Sequence, residues 1–87
     1  IYTDRASDSI IIENSVFEGN SSRAAGGALY LFNDPEDQVT IANSSFRDNQ
    51  ATGLPQGESG NGGAIEHQRN SLGSGTLTLT DVSFVGN

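Results

Sequence analysis

The sequence predicts an all-β fold built as a parallel β-helix (a solenoid) of about three coils, with essentially no helix. Three observations predict it. Ile10-Ile11-Ile12, Val39-Thr40-Ile41 and Leu77-Thr78-Leu79 place aliphatic residues at a period of two, and each leads into an Asn/Asp-x-x-Phe-x-x-Asn motif. Gly26-Gly27-Ala28-Leu29 and Gly62-Gly63-Ala64-Ile65 stand between these segments. The Phe motif recurs after 29 residues and again after 38. Period-two alternation marks strands with one buried face, and strands recurring at a fixed order along the chain mark stacked repeats. A helix would require a period of 3.6 and would not tolerate this glycine density.

The elements follow in order. Ile1 precedes Phe17 by 16 residues, much as Leu29 precedes Phe46 by 17 and Ile65 precedes Phe84 by 19. Ile1 therefore heads a strand equivalent to those that follow the glycine pairs. The chain reads as a single segment, 1–87, with coils roughly at 1–20, 21–49 and 50–87, cut from a longer array. Ile10/Ile12, Val39/Ile41 and Leu77/Leu79 point inward. Phe17, Phe46 and Phe84 lie an odd number of positions further on, so the inward phase must switch. Asn14, Asn43 and Asp81 stand at the switch, and Asn and Asp tolerate the left-handed backbone that a bend requires. Asn20, Asn49 and Asn87 are expected to make a second corner by the same logic, with their amides hydrogen-bonded from coil to coil. The glycine pairs Gly26/Gly27 and Gly62/Gly63 are expected to permit a tight turn where a Cβ would clash. After them Leu29 and Ile65 point inward, and Leu31 and His67 share their phase. Most of the extra length of the last repeat lies in the Gly/Pro/Ser-rich segment 50–61, which reads as a surface loop.

Composition narrows the function classes. Four Arg and no Lys face 11 acidic residues, for a net charge of −7, so the chain lacks the basic face that nucleic-acid binding needs. Without Cys there is no disulfide framework, thiolate metal site or cysteine nucleophile. The longest apolar run, Ile10-Ile11-Ile12, is far too short to span a membrane. Ile, Leu, Val and Phe make up only 20 of 87 residues, and the repeat concentrates them at inward positions.

Phe17-Glu-Gly-Asn20, Phe46-Arg-Asp-Asn49 and Phe84-Val-Gly-Asn87 alternate with Gly26-Gly-Ala-Leu29 and Gly62-Gly-Ala-Ile65. This alternation resembles the repeats of the chlamydial polymorphic outer-membrane proteins and of other large surface proteins. The resemblance implies a right-handed β-helix and an extracellular or cell-surface location. It also implies a passenger-type role in adhesion or assembly, as a rigid non-enzymatic scaffold. Its partners would be neighbouring coils or other protein chains, or a host-surface protein or glycan.

The chemistry-bearing residues offer rivals to that reading. β-Helices also carry lyases and glycosidases, which need converging carboxylates. Stacking sets Glu13 over Ala42 and Thr80, Glu66 beside Tyr30 and Tyr2, and Glu18 over Arg47, so no acid pair forms. No catalytic residue and no cofactor are assigned. The alternative is a carbohydrate-active or carbohydrate-binding β-helix whose functional coil lies elsewhere. Asp34, Glu36 and Asp37 are a weak Ca²⁺ candidate, competing with a plain Pro-containing acidic turn. Tyr30 and Phe32 fall on the outer face as a partner-binding candidate, unless a neighbouring loop covers them. Asn20-Ser21-Ser22 and Asn43-Ser44-Ser45 match the N-glycosylation sequon. Asn43 is expected to be packed in its ladder, which leaves Asn20 as the acceptor.

Overall fold

A computed structural model describes residues 1–4, 9–33, 38–53, 60–69 and 75–87. Among them every regular element is a strand: β1 (Tyr2–Asp4), β2 (Ser9–Glu13), β3 (Val16–Glu18), β4 (Ser21–Ser22), β5 (Leu29–Asn33), β6 (Gln38–Arg47), β7 (Gln50–Ala51), β8 (Ile65–Arg69) and β9 (Thr76–Val85). All pairings between them are parallel. They form three sheets. One has the order β1-β5-β8, a second sets β6 between β2 and β3 on one side and β9 on the other, and the third joins β4 to β7.

Register follows the sequence repeat. Ile10, Val39 and Leu77 form one column across the second sheet, Ile12, Ile41 and Leu79 another, and Phe17, Phe46 and Phe84 a third. In the first sheet Leu29 pairs with Ile65, and Thr3, Leu31 and His67 share a column. Each repeat thus lies on the next at the ~4.8 Å spacing of paired strands. The molecule measures only 14 Å along its shortest axis, about three such layers.

The core sits in the middle repeat, because only that layer has a neighbour on both sides. Leu29, Leu31, Val39, Ile41 and Phe46 are buried, with Ala28 and Ala64 beside them. Their equivalents in the outer repeats, Ile10, Ile12, Phe17, Ile65 and Leu77, pack against this cluster and are half-buried. Leu79 and Phe84 keep their register but are 44% and 45% exposed, since no described strand lies on the outer side of β9.

Two bends change the inward phase. Along β6, Val39 and Ile41 are buried, Asn43 is exposed, and Ser44 and Phe46 are buried again. Asn14, Asn43 and Asp81 have φ of 50°, 50° and 52°, and this left-handed step skips one residue of the alternation. The second bend differs from the sequence expectation. Its left-handed residues are Gly19, Asp48 and Gly86, one position before Asn20, Asn49 and Asn87. The asparagines carry the hydrogen bonds of the corner, not its backbone strain.

The glycine pairs also divide their work. Gly26 and Gly62 turn the chain with φ of 66° and 63°, and a Cβ on either would strike the carbonyl of Leu29 or Ile65. Gly27 instead lets two repeats approach, because a Cβ there would overlap the Gly63 carbonyl. Gly63 is the least restricted of the four. Its φ is ordinary and the nearest atom to a Cβ would be Asn87 C at 3.1 Å, so the tight-turn role expected of it belongs to Gly62.

Candidate functional site

Three side-chain columns carry the polar and aromatic groups that the sequence singles out. The first is an amide ladder at the second bend. Asn20 donates from its backbone N–H and from Nδ2 to Asn49 Oδ1, at 3.1 and 2.9 Å. Asn49 repeats both bonds to Asn87 Oδ1, at 3.1 and 2.7 Å. The second Nδ2 hydrogen returns to the repeat before: Asn49 donates to Phe17 O at 3.0 Å and Asn87 to Phe46 O at 2.9 Å. Asn49 is 1% exposed, and its amide is satisfied on every side. The ladder has a direction, since each carbonyl oxygen accepts only from the repeat before it. Sequence identity showed the column but not this polarity.

Beside it runs the ring column. Phe17 stacks on Phe46 at 4.8 Å between centroids and Phe46 on Phe84 at 5.1 Å, with planes within 13°. Offset aromatic stacking adds to the area each ring buries.

The third column lies on the outer face of the β1-β5-β8 sheet. Tyr2 stacks on Tyr30 at 5.2 Å and 7°. The Tyr30 hydroxyl donates to Gln68 Oε1 at 3.0 Å, and Gln68 Nε2 donates to Glu66 Oε1 at 2.8 Å. Phe32 is half-buried in register with Asp4 and Gln68. The candidate partner surface is therefore narrower than Tyr30 and Phe32 taken as two open aromatics. Its exposed aromatic is Tyr2, at 67%.

Other candidates disperse. Glu13 is in register with Ala42, which pairs with Thr80, and Glu66 is in register with Tyr30. Glu18 reaches Arg47 at 3.9 Å with both side chains more than half exposed, a pair worth little in water. His67 faces inward, its buried Nε2 without a hydrogen-bond partner, as is Thr3 Oγ1 at the other end of the same column. Asp34, Glu36 and Asp37 lie outside the described residues, so the Ca²⁺ candidate has no geometry to assess.

Both sequon asparagines are exposed, and they differ in their hydrogen bonds. Asn20, the expected acceptor, spends its Nδ2 on Asn49. Asn43, expected to be packed, is exposed at the tip of the first bend, and its side chain enters no hydrogen bond among the described residues. The left-handed φ throws its side chain outward.

Parallel, in-register strands with columns of like residues define a repeat region. Comparison with known proteins places that region. The Chlamydia polymorphic membrane protein repeat matches residues 10–31 and 43–68, more than half of the chain. The probable autotransporter YfaL of Escherichia coli (strain K12) is 39% identical over 72 residues, 83% of this chain. The chain spans only 5% of that relative's length. No solved structure matches it. The chain belongs to the Chlamydia polymorphic membrane protein repeat family, as an autotransporter-type repeat region exposed at the outer membrane or cell surface.

Proposed function

We propose that the chain is a non-enzymatic segment of right-handed parallel β-helix that serves as a rigid scaffold for adhesion or self-assembly. The observation that carries this reading is the register. Every strand of one repeat meets its equivalent in the next, so phenylalanine lies on phenylalanine and asparagine on asparagine. Such an array gains stability from each neighbour it stacks on and is stiff along its axis. The half-exposed Phe84 and Leu79 are the surface on which a further coil of a longer array stacks. Segments between the strands are then free to meet a host-surface protein, a glycan or another chain, although Gln50 and Ala51 of the expected 50–61 surface loop are themselves strand, paired with Ser21 and Ser22.

The test is competition. Soluble 87-residue chain, shown to be folded by its β-rich circular dichroism, is added to cells displaying the full-length protein. Reduced adhesion or reduced cell–cell aggregation supports the scaffold reading. Unchanged adhesion and aggregation, together with release of reducing sugar from polysaccharide by the full-length protein, refutes it.

A second reading is favoured by the Tyr2–Tyr30 stack. An aromatic face beside a linked amide and carboxylate, Gln68 and Glu66, is the kind of group set that sugars use. Binding on a glycan array that Tyr2→Ala abolishes would move the chain into the carbohydrate-binding class.

A further inference from the structure

Asn61-Gly62 is the only Asn-Gly dipeptide of the sequence. It falls at a corner where the fold requires the glycine, with φ of 63° and no room for a Cβ against the Ile65 carbonyl. Asparagine is the most chemically labile side chain of this sequence, and a following glycine leaves its amide open to attack by the next backbone nitrogen. Both reacting groups are unengaged. Asn61 is exposed, and among the described residues neither its side-chain amide nor the Gly62 N–H takes part in a hydrogen bond. The equivalent corner of the repeat before is inert on both counts. Its glycine, Gly26, follows Ala25, and the Gly26 N–H is held by Asn61 O at 2.9 Å.

We propose that Asn61-Gly62 is a self-modification site at which the chain deamidates through a cyclic imide. The Gly62 nitrogen attacks Asn61 Cγ, the C–N bond of the side-chain amide breaks, and ammonia leaves with the Gly62 proton. Water then opens the five-membered ring. Attack at Cγ yields aspartate, and attack at the main-chain carbonyl yields isoaspartate. The net change is one water consumed and one ammonia released, with no redox step.

The position gives the reaction a structural consequence. Asn61 O and Gly62 O accept from Gly26 N–H and Gly27 N–H, at 2.9 and 3.0 Å, and these bonds tie one repeat to the next. Isoaspartate routes the main chain through Cβ and Cγ and turns the former Asn61 carbonyl into a free carboxylate on a lengthened chain, so the peptide carbonyl that held Gly26 N–H is lost. It also adds a negative charge to a chain already at −7. Conversion therefore loosens the glycine corner, while the amide ladder and the ring column remain.

The full 87-residue chain is incubated at mildly alkaline pH and body temperature, then digested for mass spectrometry with isoaspartyl methyltransferase labelling. Expected is conversion at Asn61 several-fold faster than at any other asparagine, with isoaspartate and aspartate both formed. The Gly26 amide should exchange faster in converted than in fresh chain. Asn61→Gln, whose longer side chain closes the ring far more slowly, should abolish both changes while keeping the backbone bonds. Three results would each overturn the proposal. These are an Asn61 that stays intact in folded chain yet converts once urea unfolds it, aspartate as the sole product, and unaltered Gly26 exchange in fully converted chain.

Discussion

Asn49 Nδ2 lies 2.7 Å from Asn87 Oδ1 and 3.0 Å from Phe17 O, so one buried amide bonds the repeat after it and the repeat before it. Its Oδ1 takes the Asn20 N–H and Nδ2 in turn. Burying such a group costs free energy unless every donor and acceptor is met, and here all are met.

Asn49→Ala strands the Phe17 carbonyl and the Asn20 N–H and Nδ2, while Asn87 Oδ1 keeps only the Asn49 backbone N–H. A loss of about 3 kcal/mol is expected, since each buried unpaired group costs roughly 1–3 kcal/mol and the two Asn20 groups are partly rescued by water. Urea denaturation measures it. Asn49→Asp should be worse, because a carboxylate would face the Phe17 carbonyl and Asn87 Oδ1 with no proton to share. Equal midpoints for Asn49→Asp and the parent chain would refute the ladder as a source of stability.

The three ring-column residues should not respond alike. Phe46 is 1% exposed between two rings, whereas Phe84 is 45% exposed with a ring on one side only. Phe46→Ala is expected to cost roughly 3–5 kcal/mol, with Phe84→Ala at less than about half of that. A comparable loss at both positions would mean that Phe84 is covered in solution.

That contrast marks what the sequence makes legible. The columns were readable, because equal spacing in three segments fixes which residues share a layer. The phase switch at Asn14, Asn43 and Asp81 was readable too, since Phe lies at odd distance from the aliphatic pairs. Burial was not, because Phe17, Phe46 and Phe84 are identical in motif and differ only in how many layers surround them. Nor was the placement of strain. Asp48 stands between Gly19 and Gly86 in one column, and that Gly/Asp/Gly pattern was the available signal for the left-handed position. The Asn beside it drew attention through its identity in all three copies, yet it serves hydrogen bonding. Ladder polarity depends on which amide atom faces which repeat, and no residue pattern encodes that.

The glycine corners should separate by position. Gly26→Ala combines a left-handed φ with a backbone clash and is expected to cost more than about 2 kcal/mol. Gly63→Ala meets only Asn87 C at 3.1 Å and should cost well under about 1 kcal/mol, the small glycine-to-alanine entropy gain offsetting part of the contact. Thermal melts of the pair decide the matter. Equal destabilisation would show that both glycines of a pair are turn residues.

Asp48 offers a stabilising change. Its φ of 54° is one that a Cβ disfavours, and the equivalent residues Gly19 and Gly86 avoid the penalty. Asp48→Gly relieves that strain and leaves the backbone bond from Asp48 N–H to Val85 O, at 3.0 Å, in place. It gives up some unfolded-state restriction in exchange, so a net gain of about 0.5 kcal/mol is expected. A melting temperature below that of the parent would show that the Asp48 carboxylate contributes more than its backbone costs.

The two sequon asparagines are both exposed, but only Asn20 has its amide nitrogen engaged. Asn20 Nδ2 is a rung of the ladder, 2.9 Å from Asn49 Oδ1, and a bulky sugar on that nitrogen competes with the next repeat for the same space. Asn43 projects from the first bend into solvent, where a glycan displaces nothing but water. Secreted from a host that glycosylates Asn-x-Ser, the folded product should carry its sugar at Asn43 and melt within a degree or so of chain made without glycan. Chain glycosylated at Asn20 should be a minor and less stable fraction. Peptide mapping with Asn43→Gln and Asn20→Gln variants reads the outcome. Recovery of stable, folded chain glycosylated mainly at Asn20 would mean that the Asn20–Asn49 rung is dispensable, and the directional ladder would then begin only at Asn49.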